Sequence, residues 1–507
     1  MTDMSRRSLI QGSLALGAAG FIGAAEASTQ AKVPSKWDAT YDVVVVGSGF
    51  AGLAAAIEAK KAGASCVVLE KMPTAGGNSI INGGILTATG CPQQLKHGIK
   101  DSPELLAKDM LVAGLYMNNP EKVKLVADSA LSNYEWTVKE LGVEYNPDAI
   151  GQEGGHSVPR YVFTKNGSGS GIVSKELEKV AKLGVKVETR TYVEHIIRDE
   201  KGAVLGLQIR KGYRFPKAGS GRVQFIRAKK GVVLCYGGFS RDVAYRTMQD
   251  PKLAANLDST NQPGATAGVL IKALGIGAAP VQLCWLQFLP YCNPREKGFG
   301  VSVNFTNHAC MDLGLVVDRK TGRRFMDEHA GRKIKSDALF KVIGTDENYP
   351  IAVCDDSIVK AINPSFVKLP LEMGTVKKFD TLEALADHFG IKKDAFLEEV
   401  KKFNGFVKAG EDKDFGRILS FNNGLTVSQG PFYGIECCPK IHHTMGGVMI
   451  NEKAEVISAT TQKPIKGLYA GGEVTGGVHG ASRLGTVAVI DALTFGMIAG
   501  ENFAAMK

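Results

Sequence analysis

The chain lacks the patterns that staple, anchor or decorate a protein. Its nine cysteines, at 66, 91, 235, 284, 292, 310, 354, 437 and 438, form no CxxC and no CxxCH. This argues against a zinc site, a thioredoxin-type pair and a c-type haem carried on this chain, and no metal site is expected. The spacing gives no disulfide framework either, so buried thiols are expected, the vicinal Cys437 and Cys438 included. After the first thirty residues no run is long and apolar enough to span a bilayer, so no stable membrane insertion is expected. The basic excess is only +10 and is scattered along the sequence, which reads as a solvated surface and not as a nucleic-acid footprint. There is no internal repeat and no low-complexity segment.

What is present is 507 residues of ordinary globular composition, 44% hydrophobic and 22% charged, enough for a large core in two domains. The organising stretch is residues 41–71. The apolar run 43–46 reads as a strand buried on both faces, and it leads through Gly47, Gly49, Ala51 and Gly52 into an alanine-rich helix. A second strand, 66–69, ends at Glu70 and Lys71, where an acid accepts hydrogen bonds from a ribose. Strand, tight turn, helix and terminal acid together form a dinucleotide site, with the helix N-terminus facing a pyrophosphate.

The following glycines point to a flavin. Gly76, Gly77, Asn78 and Ser79, then Gly83 and Gly84, offer bare backbone on which a ring and its diphosphate arm lie close to the chain. The far end of the sequence repeats the theme in 467–473, a short strand ending in Gly472 and Glu473. One FAD domain assembled from both termini follows. Helices are expected at 103–115, 121–141, 172–182 and 267–274, and strands within 185–197, at 203–209 and at 231–236 before Gly237. From Trp285 to Cys438 the parallel-sheet rhythm is lost and lysine-rich helices appear at 382–389 and 393–406. The expected fold class is therefore α/β: a Rossmann-like FAD-binding domain over 38–284 and 439–507, with an inserted α+β capping domain over 285–438.

Residues 1–27 read as a twin-arginine export signal, from Arg6-Arg7, an apolar Ala/Gly stretch and Ala25-Glu26-Ala27. A periplasmic protein that folds around its cofactor before export is expected.

Three basic or protonatable sites flank glycine motifs: His442-His443 in HHTMGG (442–447), Arg483 in GGEVTGGVHGASRLG (471–485), and Arg332 in the inserted segment. Through these two motifs, and over residues 37 to the C-terminus, the chain resembles the fumarate reductase and succinate dehydrogenase flavoprotein family, in its soluble periplasmic flavocytochrome c branch. The resemblance implies that Arg332 donates a proton, that His442 and Arg483 hold a substrate carboxylate, and that the loop around Gly155 lies below the flavin. It also implies cofactor contacts from Val193, Gly237, His443, Glu473, Arg483 and Leu484. Asn78 and Ser79 stand where membrane-bound relatives carry a flavin-linked histidine, so the FAD is expected to be non-covalent.

The departures matter as much. Leu289 replaces the histidine that holds a second carboxylate, Asn307 replaces the glutamate after Thr306, and Cys310 replaces a relay arginine. An unpaired buried carboxylate costs several kcal/mol, so fumarate is not expected as substrate. Trp285, Phe288, Leu289, Tyr291, Asn304, Phe305, Thr306 and Asn307 are the candidates for the far wall, with His308, Asp312 or a water chain left as alternatives for the relay. The expected activity is reduction of an α,β-unsaturated monocarboxylate of arylacrylate, urocanate or methacrylate type. Its electrons would come from a separate c-type cytochrome or quinol-linked donor, as a step of anaerobic respiration. The alternatives are a dehydrogenase or oxidase of an acid or ketone, and a non-catalytic flavin electron carrier.

Overall fold

In the computed structural model, which describes residues 32–504, β1 (Ala39–Val46) runs straight into α1 (Phe50–Lys61). The export signal expected at 1–27 lies outside the described residues. The turn between strand and helix works only with glycine. Gly47 has φ +105°, and a Cβ there would sit 2.2 Å from the carbonyl oxygen of Cys235. β2 (Cys66–Leu69) lies parallel to β1, with Val43 beside Cys66 and Val46 beside Leu69. The sheet continues to β3 (Lys186–Glu188) on that side. An antiparallel hairpin, β4 (Thr191–Arg198) and β5 (Val204–Lys211), feeds the long β6 (Arg222–Leu234). The strand expected at 231–236 is the end of β6, whose last residues pair with β1 while its first residues pair with the hairpin.

The chain leaves this sheet on β7 (Leu286–Cys292) and builds a second structure. A four-stranded antiparallel sheet has the order β8 (Leu315–Val317), β9 (Ile351–Asp355), β11 (Phe432–Glu436), β10 (Lys377–Phe379). It packs with helices α3 (Leu382–Phe389) and α4 (Lys393–Ala409), while α2 (Arg332–Ile343) packs on β7 and on the returning strand Cys438–Thr444. Its core, from Leu289 to Cys438, is a hydrophobic cluster separate from that of the dinucleotide sheet. Cys292, Cys310, Cys354, Cys437 and Cys438 lie buried in it as free thiols.

The chain returns on β12 (Cys438–Thr444), antiparallel to β7, with Gln287 opposite His443. β13 (Glu455–Ile457) and β14 (Pro464–Ala470) then complete the first sheet, β14 parallel to β6. Finally α5 (Ala488–Glu501) packs on α1, with Gly496 so close that a Cβ would lie 2.4 Å from the carbonyl oxygen of Ala51. Both termini of the described chain thus form one nucleotide-binding half, and the paired strands β7 and β12 are the crossing to the cap. The single helix expected at 121–141 is two, Pro120–Asp128 and Ala130–Lys139, broken at Ser129, whose hydroxyl donates to Leu125 O at 2.8 Å.

Candidate active site

A continuous cleft begins at the N-terminus of α1 and ends under the cap. At its start the α1 amides face the cavity, a natural seat for anionic oxygens. Phe50 N donates to Ser79 Oγ at 3.1 Å, which ties the glycine segment 76–84 to that helix end. Glu70 accepts from Ser48 Oγ at 2.6 Å and from Met72 N at 2.8 Å, and so stays at the mouth of β2. Lys71 donates to Thr266 Oγ1 at 2.8 Å, and burial pulls its pKa down to about 8.

Most residues expected at the cofactor line this cleft, from Gly47, Gly49 and Ala51 through Val193 and Gly237 to Gly472 and Glu473. Four stand behind the wall. Gly52 is pressed against Gly47 O, and Gly76 donates its N–H to Ser48 Oγ at 3.0 Å. Gly84 is packed on Thr164 and Ser168, while Leu484 is a buried side chain whose carbonyl accepts from Arg483 Nη1 at 2.9 Å. These residues shape the wall from behind and do not touch the space it encloses.

Under the cap the cleft is charged. Arg332 is the first residue of α2, and its Nε donates to Glu153 Oε1 at 2.6 Å. Burial lowers the Arg332 pKa, but Glu153 beside it more than restores it, so the guanidinium stays ionised. Burial pushes Glu153 up, yet Arg332 holds it well below the usual carboxylate range. Arg483, with no such partner, falls to about 9 through burial and the nearby charge of Arg332. His442 accepts or donates at Nδ1 with Thr260 Oγ1, 2.7 Å away, and burial followed by the two arginines keeps it neutral. Glu473 is pushed up to about 7 by burial, against the Thr444 N–H that it accepts at 2.9 Å.

The cluster of Arg332, Arg483, His442 and Glu153 therefore carries one positive charge more than it can neutralise. Five buried atoms around the same cleft have no hydrogen-bond partner within the protein: Arg332 Nη1, Arg483 Nε, His443 Nε2, Asn307 Oδ1 and Tyr236 Oη. Buried polar atoms are rarely left so. The glycine-paved arm, the helix N-terminus and these unpartnered groups fit an elongated dinucleotide with a polar ring, beside a small anion.

The cap wall differs from expectation in part. Leu289, Tyr291, Asn304 and Asn307 line the cleft, joined by Phe299, Val303 and His308. Trp285 and Thr306 do not. Trp285 precedes β7 and lies outside the cavity, and the Thr306 hydroxyl is buried, donating to Ser302 O at 3.1 Å. Phe288 points away, its ring edge-on to Phe340 at 4.9 Å, and Phe305 is fully buried in the cap core. The reason is helical: Val303, Asn304, Asn307 and His308 share one face, leaving Phe305 and Thr306 on the other. Cys310 lies in that core beside Cys354, its thiol pKa raised by burial and then by Cys354, so it stays a neutral thiol and takes no part in the cleft. Sequence reading missed Glu153 and Thr260. Glu153 adjoins the 154–160 loop but meets Arg332 only across 179 residues of chain.

Such a cleft defines a flavin-dependent oxidoreductase with an anion subsite. The chain belongs to the FAD binding domain family, whose model matches residues 42–489, and the resemblance read from its two motifs is borne out at that level. It is 38% identical over 497 residues to the acrylate reductase flavoprotein subunit of Shewanella woodyi, covering 98% of this chain and 97% of that one. It is 35% identical over 480 residues to the fumarate reductase (cytochrome) of Shewanella frigidimarina, covering 94% of this chain and 79% of that one. The open conformation of a flavocytochrome c3 fumarate reductase superposes with a TM-score of 0.72 at 30% identity, over 99% of this chain and 81% of that one.

Proposed function

We propose that this protein is a periplasmic, FAD-dependent reductase of the C=C bond of an α,β-unsaturated monocarboxylate. The observation that carries the reading is the convergence of Arg332, His442 and Arg483 on one buried, positively charged cleft whose far wall is Leu289. Relatives named as acrylate and fumarate reductases support it.

The FAD would be held by the glycine arm together with His443 and Glu473, and would supply the hydride. Arg483 Nε has no other partner and binds the substrate carboxylate. His442 stays neutral and, with Thr260 donating to its Nδ1, offers Nε2–H to the same carboxylate. These donors also stabilise the charge that spreads onto the carboxylate as the β-carbon is reduced. Arg332, held at Nε by Glu153, has Nη1 free to give a proton to the α-carbon. An arginine is a weak acid, so the step needs the water-excluded space beneath the cap.

Leu289 and Asn307 take the substrate's tail. Neither offers a cation, so a dicarboxylate would bury one charge unpaired at several kcal/mol. The FAD is non-covalent on this reading. Asn78 is bonded to Asn261 Oδ1 at 2.5 Å and Ser79 accepts from Phe50 N, and no histidine stands there. The twin-arginine motif supports export, and the missing CxxCH supports a separate cytochrome or quinol-linked donor. No helix among the described residues is long and apolar enough to cross a membrane.

The test is anaerobic oxidation of reduced methyl viologen by purified holoprotein with acrylate, methacrylate, cinnamate, urocanate and fumarate. A monocarboxylate should drive dye oxidation and fumarate should be slow. Reduction of oxidised dye by a saturated acid would make it a dehydrogenase, and no response to any acid would make it an electron carrier.

A further inference from the structure

Lys335 is an unexpected residue for the interior: it is 1% exposed, one turn along α2 from Arg332. It faces the site and not solvent. Its Nζ donates to Tyr291 Oη at 2.9 Å and lies 4.6 Å from the centre of that ring. Tyr291 Oη donates in turn to Glu153 Oε1 at 3.2 Å, the same oxygen that accepts from Arg332 Nε at 2.6 Å. The bonds form an unbroken line from Lys335 to Arg332.

A second cleft lies between the cap and the segments 144–167, walled in part by His308, Asp312 and His329, and of these Asp312 and His329 are near enough to Lys335 to feel its charge. The side chains of Asp312 and His308 are 17% and 15% exposed and 3.0 Å apart, so this end reaches water. Neither Asn307 nor Cys310 joins the line; Asn307 Oδ1 is unpartnered and Cys310 is in the cap core.

We propose that Arg332 is recharged with protons from this second cleft through Lys335, Tyr291 and Glu153. The inference rests on Arg332 being the donor to the α-carbon. After Arg332 gives a proton from Nη1, the neutral guanidine moves its Nε hydrogen to Nη1, which leaves Nε ready to accept a proton. Lys335 Nζ gives a proton to Tyr291 Oη as Tyr291 gives its own to the Glu153 carboxylate, the protonated Glu153 Oε1 passes that proton to Arg332 Nε, and Lys335 is reprotonated from solvent. Each group ends as it began, one proton has crossed, and no electrons move along the line.

The electrostatics suit the task. Burial lowers the Lys335 pKa to about 8, against support from Asp312 and Glu153, so its ammonium is populated at neutral pH yet gives up a proton readily. The other groups facing it are Arg332, which opposes its charge, Asp327, which supports it, and His329, which burial lowers to about 4.

The experiment separates the first turnover from those that follow. Holoenzyme of wild type, Tyr291→Phe, Lys335→Met and Arg332→Ala is reduced anaerobically and mixed in a stopped flow with the enoate of the panel that wild type turns over fastest. Flavin reoxidation in the first turnover uses the proton already on Arg332, so Tyr291→Phe and Lys335→Met should slow it far less than they slow the steady state. Their steady-state rates should fall at least about tenfold, with a larger solvent deuterium effect than wild type. FAD absorbance and thermal midpoints of both variants should match wild type; should Lys335→Met not fold, Tyr291→Phe, which removes one oxygen, decides alone. Equal slowing of both phases means a packing role and overturns the relay, as does an unslowed steady state. If wild type reduces no enoate, the functional reading and the relay fall together; if Arg332→Ala turns over, the donor assignment fails and takes the relay with it.

Discussion

The protein buries two pairs of arginines, and they are treated in opposite ways. In the cap, Arg324 and Arg417 share two carboxylates: Arg324 donates to Glu328 at 2.8 and 2.6 Å and to Asp412 at 2.8 Å, and Arg417 reaches Glu328 at 3.2 Å. Arg417 also donates from Nη1 to Gly314 O and from Nη2 to Asp312 O, both at 2.7 Å, while Arg417 Nε and Arg324 Nη1 are left without a partner. Charge is balanced there and no ligand is needed. In the cleft, Glu153 is the one carboxylate bonded to the arginine pair, through Arg332, and the Glu473 carboxyl near Arg483 is pushed up to about 7, so the two guanidiniums are left short of negative charge. A closed network holds a fold together. An open one of the same chemistry waits for an anion.

The comparison is broken most completely at Arg332. Arg332→Ala should lower viologen-linked enoate reduction by about 10³-fold while the flavin absorbance of the purified protein is unchanged; retained turnover removes Arg332 from the chemistry. In the closed network the effect should fall on stability instead. Glu328→Gln leaves two buried guanidiniums short of a charge and should cost about 3–5 kcal/mol, read as an earlier denaturant midpoint of the cap, with the kinetics of the surviving folded protein near wild type.

The open pair should also show in the pH profile. Arg483 binds the carboxylate only when protonated, so its contribution is complete below about 9 and lost as pH rises through that value. kcat/KM, which reports the free enzyme, should therefore fall above about pH 9, whereas an arginine with an ordinary pKa would leave it flat. The smallest effect is expected at the far wall. Leu289→His adds a donor where the cleft has none, and should raise fumarate turnover relative to a monocarboxylate by about tenfold, the worth of one good hydrogen bond.

How much of this was legible beforehand depends on whether a feature is local. The turn at Gly47 was, because a strand, a positive-φ glycine and a helix follow one another in the chain. The export signal at 1–27 cannot be compared, being outside the described residues. Of the candidates for the cap wall, Leu289, Tyr291, Asn304 and Asn307 line the cleft, whereas Trp285, Phe288, Phe305 and Thr306 do not. Within β7, Leu289 and Tyr291 face the cleft and Phe288 faces away, as strand alternation requires, while Trp285 precedes the strand. At 303–308 neighbours in sequence stand on opposite sides of a helical turn.

The sequence by itself determined the nucleotide half and named the three basic residues of the site, because glycine turns, apolar strands and paired motifs act over a few residues. Only the tertiary structure decided which charges meet. Glu153 and Arg332, or Lys335 and Tyr291, are far apart in the chain and carry no local mark of their pairing. Their partnership comes from the crossing of β7 and β12, which brings the start of α2 down onto the loop at 153–155 and leaves one positive charge unmatched in a buried cleft.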